Sequence, residues 1–170
     1  MLIAILWIMW MTGYESTISG IDRAVQAFLA NPSLRSWCDG DQAKVQRFLY
    51  EALRHDGVVL YTPIPRIAVS ELALGGVTVP AGASVRMLIA GANRDPRVFR
   101  DPDTFDPTRD PRRMLSAGNC CGTTLGRAEM AHVVTGLQQR FPTLVAAGEP
   151  AWSPATLARR TLETLPARLG

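Results

Sequence analysis

Three small groups of residues in this 170-residue chain have types and spacings that could do chemistry. Cys120 and Cys121 stand side by side just before a segment that reads as a helix. A thiolate at a helix N-terminus meets the positive end of the helix dipole, which lowers its pKa and suits it to a metal or to reaction. Glu15 and Ser16 sit together in "TGYEST", Thr12 to Thr17, where a carboxylate and a hydroxyl can relay protons. Glu51 and Arg54 are three apart in "EALR", so they share one helical face and can pair locally. Burying that pair requires a further partner to complete its hydrogen bonds.

The cysteines keep several readings open. Either can be a small buried hydrophobe, as free cysteine often is. Together they could serve a zinc or redox site, but no third or fourth ligand lies near them in sequence, and His132 falls in the interior of the last helix. His55 and His132 otherwise read as ordinary surface or packing residues. With Cys38 the count is three, and neighbours bridge only under strain, so a disulfide framework does not fit and a reducing, cytoplasmic setting does.

The elements that must position these groups follow from pattern. "MLIAILWIMWM", Met1 to Met11, is an unbroken apolar run, too short for the roughly 20 residues that span a bilayer. It carries no basic leader and no cleavage site. It predicts the start of a long helix buried on most of its faces, continuing to a stop at Asn31-Pro32. "SLRSWCDGDQ" is a loop or short helix, and Val45, Phe48, Leu49, Ala52 and Leu53 mark a second long helix ended by Gly57. The stretch from Val58 to Ile89 is β-rich, with turns at Gly75-Gly76 and Pro80-Ala81-Gly82. A proline-, aspartate- and arginine-rich segment then reads as an ordered irregular loop. Gly122 to Phe141 is a helix stopped by Pro142, and a closing hairpin covers "LVAAGE" and "TLARRTLETLP". The fold class is mixed, mainly α with a small antiparallel β-sheet, in one domain over 1–170.

Hydrophobic residues make up 47% of the chain, enough for one sizeable core. Net charge is +3, and the basic residues are scattered, never more than two in a row and without an aromatic-interleaved stripe. Neither nucleic acid nor membrane is an expected partner.

In order and in residues, the chain resembles the C-terminal half of a bacterial cytochrome P-450, the haem-thiolate monooxygenases. "TGYEST" is similar to the acid–alcohol segment of the family's central helix, and "EALR" to its Glu-x-x-Arg motif. "PRIAVSELALGGVTVPAGASV" resembles the small sheet that follows, and "ANRDPRVFRDPDTFDPTRDP" the meander. "CCGTTLGRAEMA" resembles the start of the proximal helix. The resemblance implies haem b bound by Cys120, with Cys121 a filler, Arg66 on a propionate and Glu15–Ser16 on the oxygen side. It implies a structural triad of Glu51, Arg54 and Arg109, and a small organic substrate met around Met11, Thr12 and Ile64. A redox partner would supply electrons.

Three departures go with it. The chain begins at the family's central helix, so that helix is expected to present an apolar face, with Trp7, Met9, Trp10 and Met11, to a complementary chain or a second copy. The run Phe-Gly-x-Gly-x-His that precedes the family's cysteine is replaced by "AGN", and its histidine falls on Gly118. Thr12 stands where a small Ala or Gly usually leaves room for dioxygen. Three function classes follow: a monooxygenase, a haem-free auxiliary or non-redox catalyst, and one half of a split enzyme.

Overall fold

The computed structural model describes residues 2–62, 64–115, 122–153 and 161–169; the side chains of Ile8, Met11, Thr12 and Gly122 lie outside that description. Helix α1 spans Leu2–Ala30, about 43 Å at 1.5 Å per residue. The stop falls where the sequence puts it. Asn31 then leads into α2, Pro32–Cys38, with proline in the first turn where its missing N–H costs nothing. Helix α3, Gln42–His55, starts at Asp41, whose carboxylate accepts from the backbone N–H groups of Ala43 and Lys44. Helix α5 spans Gly122–Arg140.

The core sits where α1, α2, α3 and α5 meet. Phe28 and Ala24 on α1, Cys38 on α2, Val45, Phe48 and Leu49 on α3, and Met130, Ala131 and Val134 on α5 form one buried cluster. On α1 the residues Gly20, Ala24 and Phe28 recur every fourth position, as do Gly126, Met130 and Val134 on α5. These two rows are the ridges along which the helices pack. Phe48 stands edge-on to Phe28 at 6.3 Å between ring centroids and meets Phe105 at 5.7 Å.

Arg23 is also buried in this region, 1% exposed. It lies 3.8 Å from the Asp56 carboxylate with its guanidinium 4.9 Å from the centre of the Trp152 ring.

The fold class is the expected one, mainly α with small antiparallel β-structure, and two details within it differ. The β-structure is not one sheet but four two-stranded antiparallel ones. β1 (Arg66–Ile67) pairs with β4 (Ser84–Val85), and β2 (Leu72–Leu74) with β3 (Val77–Val79). β5 (Val145–Ala146) pairs with β8 (Ala167–Arg168), and β6 (Ala151–Trp152) with β7 (Leu162–Thr164). The β2–β3 turn uses Gly75 and Gly76 at φ +57° and +84°, a left-handed pair that glycine adopts freely. Ile89, read as the end of the β-rich stretch, instead opens a single helical turn, α4 (Ile89–Ala92).

The second correction concerns α1, whose first half is not buried. Leu2, Ile3, Ile5, Leu6, Trp7, Met9 and Trp10 are all exposed, and burial along α1 begins only around Ser16 and Thr17. Among the described residues, no helix is long and apolar enough to cross a membrane.

Cys38 gives the core a pH signature. Burial pushes its thiol up to about 11 from 9.0. Between those values the unfolded chain has lost the proton and the folded chain keeps it, so stability is full below pH 9 and falls as pH rises toward 11. Denaturant midpoints measured from pH 8 to 11 should fall, and the Cys38→Ala variant should fall less steeply. An equal slope in both would remove Cys38 as the cause.

Candidate functional site

Helix α3 places Glu51 and Arg54 one turn apart with both side chains buried, 3% and 2% exposed. Arg54 donates from Nε to Glu51 Oε2 at 2.7 Å and from Nη2 to Oε1 at 2.8 Å, a two-pronged pair. The rest of the fork goes to backbone. Nη1 donates to the carbonyls of Asn93 and Pro102, and Nη2 also to that of Thr104. Glu51 in turn accepts from the Asp106 backbone N–H at 2.8 Å. Every strong partner outside the helix thus lies in the irregular segment after α4, which these bonds fasten to α3.

Arg109 comes to the same place in a different way than expected. Its Nε lies 3.5 Å from Glu51 Oε1, an electrostatic contact. Its hydrogen bonds go to the carbonyls of Arg100, Asp101 and Thr104. It braces the loop more than it completes the Glu51–Arg54 pair. Nearby carboxylates are held in the charged state: Asp106 is lowered chiefly by the Thr108 hydroxyl, and Asp95 is lowered to about 2 chiefly by the Arg97 side chain.

Asn93 was not singled out in the sequence, yet it is 2% exposed and central. Its Nδ2 donates to the Leu115 carbonyl and its Oδ1 accepts from the Leu115 N–H, both at 2.8 Å. Its own carbonyl takes Arg54 Nη1. Asn93 therefore links the buried arginine to the last described residue before the cysteine segment. The signal was present in "ANRDP", a short amide flanked by a helical turn, but nothing local says which backbone it would grip.

The acid–alcohol pair lies on α1, with Glu15 exposed and Ser16 half-buried. One turn on, α1 crosses α5. A Cβ built on Gly20 would stand 2.5 Å from Met130 Cε, and one built on Gly126 would stand 3.3 Å from Thr17 Oγ1. Turned away from this crossing, Tyr14 and Ile18 are exposed on α1, and Leu125 is exposed on α5. Arg66 is exposed on β1, and its guanidinium has no hydrogen bond or ion pair among the described residues. Ile64 is exposed as well. Cys120, Cys121 and Gly118 lie outside the described residues, as does the side chain of Thr12.

Among the described residues, no group of three or more His, Cys, Asp or Glu could hold a metal ion. His132 is exposed, and His55 is tied by Nε2 to the Asp103 carbonyl at 3.0 Å.

The family Cytochrome P450 matches residues 44–158. The chain is 44% identical to Cytochrome P450 BJ-3 of Bradyrhizobium diazoefficiens, over 99% of this chain and 42% of that protein. It is 31% identical to the 6-deoxyerythronolide B hydroxylase of Saccharopolyspora erythraea, over 99% of this chain and 43% of that one. The solved structure of the tirandamycin C-bound P450 monooxygenase TamI is similar at a TM-score of 0.90 and 26% identity, covering 99% of this chain and 44% of that one. The chain therefore spans a little over two fifths of the length of these relatives. With more than half of its own length matched by the family and its fold shared with a solved member, the chain belongs to the cytochrome P450 family of haem-thiolate monooxygenases.

Proposed function

We propose that this chain forms the haem-holding part of a cytochrome P450 monooxygenase that puts one oxygen atom into a small organic substrate. Two observations support a fit to haem b. The Arg66 guanidinium has no partner among the described residues, which suits a propionate, and Ser16 falls in the same i, i+4 row of α1 as Gly20, the row that turns toward α5. Haem held by a cysteine thiolate supplies dioxygen activation, the thiolate pushing electron density toward O–O cleavage.

The chain's own residues do the rest. Cys120, just ahead of α5, offers its sulfur as a ligand, and the helix dipole favours the thiolate. Arg66 orients the acidic edge of the cofactor. Glu15, exposed, takes protons from solvent at its carboxylate, and Ser16, half-buried, passes them on through Oγ. Substrate contact from this span falls to Met11, Thr12 and Ile64. Electrons come from a separate redox partner. The observation that carries the reading is the packed crossing of the helix bearing Glu15 and Ser16 with the helix that follows Cys120.

The test is an absorption spectrum of the purified chain with added haem, reduced and under carbon monoxide. A red-shifted Soret band typical of thiolate ligation is expected, lost in Cys120→Ala and kept in Cys121→Ala. A spectrum indifferent to Cys120, or no haem uptake, overturns the reading.

A second reading rests on the exposed half of α1, where Trp7 and Trp10 are 60% and 62% exposed. In it the chain is a haem-free protein that works by binding another polypeptide or a second copy through that face. Sedimentation of the same haem-free sample as a clean monomer at micromolar concentration would remove the second copy.

A further inference from the structure

We infer that the contact between Gly20 and Met130 is the spacer that sets the gap between the Glu15–Ser16 segment of α1 and the cysteine end of α5. The inference rests on the haem-binding reading above but concerns residues that reading does not use. The exposed first half of α1 leaves the approach of α1 to α5 to be fixed at this crossing, with Ala24 and Phe28 packing further along. Gly20 and Gly126 are both buried there, and neither position has room for a side chain without displacement. Thr17 fills the space over Gly126, and the end of Met130 fills the space over Gly20. Met130 is itself 6% exposed within the core cluster, so its flexible end can leave Gly20 only by repacking among its buried neighbours.

The crossing lies close to the chemistry on both helices. Glu15 is five residues from Gly20, about 7.5 Å along α1, and the start of α5 at Gly122 is four residues, about 6 Å, from Gly126. A side chain added at Gly20 displaces the end of Met130 and, where the packed core holds that end in place, pushes the helices apart or tilts them about this point. Either movement changes the gap in which a cofactor would lie. Gly20 and Met130 are positioning residues: they act through the two helices and touch no reacting atom.

The test pairs Gly20→Val with a compensating Met130→Ala. Valine is no poorer a helix former than glycine, so a loss in the single variant is not a propensity effect. Haem affinity, read by Soret titration, should fall about tenfold in Gly20→Val, the usual scale of overpacking, and return to within about threefold of the parent in the double variant. Gly136→Val is the control, since a Cβ there meets nothing within 4 Å, and it should leave affinity unchanged. Equal affinity in the parent and Gly20→Val, or no recovery in the double variant, overturns the inference.

A parent chain that takes up no haem would overturn the proposed function, and a haem-free distance then decides the spacer. Nitroxide labels at Tyr14→Cys and Leu125→Cys, both exposed sites, are placed in a chain carrying Cys120→Ala and Cys121→Ala. The label separation should change in Gly20→Val and revert with Met130→Ala. An unchanged separation overturns the inference on its own.

Discussion

Replacing Arg54 by alanine is expected to remove cooperative unfolding or to lower the melting temperature by about 10–20 °C. The substitution strips Glu51 of both of its side-chain hydrogen bonds while leaving its carboxylate 3% exposed. Only the Asp106 N–H and the more distant Arg109 then face the carboxylate, and breaking a buried pair in this way costs about 3–5 kcal/mol, against a total stability of about 5–15 kcal/mol for a whole domain. The carbonyls of Asn93, Pro102 and Thr104 lose a donor at the same time, so the loop after α4 comes loose from α3. Two companions sharpen the measurement. Arg54→Lys keeps the charge but not the planar fork, and it should still lose most of the stability. Glu51→Ala combined with Arg54→Ala should be less damaging than Arg54→Ala alone, because no lone charge is left behind. Circular dichroism melts compare all three. A melting temperature for Arg54→Ala within a degree or so of the parent would contradict the whole account of this cluster.

Phe48→Ala should be nearly as severe, at about 3–5 kcal/mol, the range for truncating a buried aromatic. Phe48 is fully buried, and it joins three parts of the molecule: α3, which carries it; Phe28 of α1; and Phe105 of the irregular segment. The space it leaves cannot close by local movement, because Leu49, Val45 and Val134 are buried around it in the same cluster. Phe48→Leu should keep most of the contact and cost less than half as much. Denaturant midpoints with an unchanged slope would measure both. A loss under about 1 kcal/mol for the alanine variant would mean the aromatic cluster is not what joins α1 to the loop.

Most local elements were legible because their causes are local. The Asn31-Pro32 stop, the i, i+3, i+4 spacing of Val45, Phe48 and Leu49, and the Gly75-Gly76 turn each depend on residues within four positions of one another. The pairing of Glu51 with Arg54 is of the same kind. Such neighbours remain neighbours in any fold that forms the helix. The short strands after Phe141 were less legible, since strands of two or three residues have too little length for alternation to show.

What the sequence by itself determined was therefore the order of elements, the family they resemble, and which charged residues must meet. Tertiary structure alone decided where the remaining bonds of those residues go. Arg54 and Arg109 end on the carbonyls of Asn93, Arg100, Asp101, Pro102 and Thr104, and Asn93 ends on the backbone of Leu115. Every residue carries the same carbonyl, so no side-chain pattern can mark the one that will be gripped. The crossing at Gly20 and Met130 was hidden for a related reason: a missing side chain becomes informative only when another helix arrives to fill its place. The exposed half of α1 completes the contrast, because an apolar run states that burial is needed but not what supplies it.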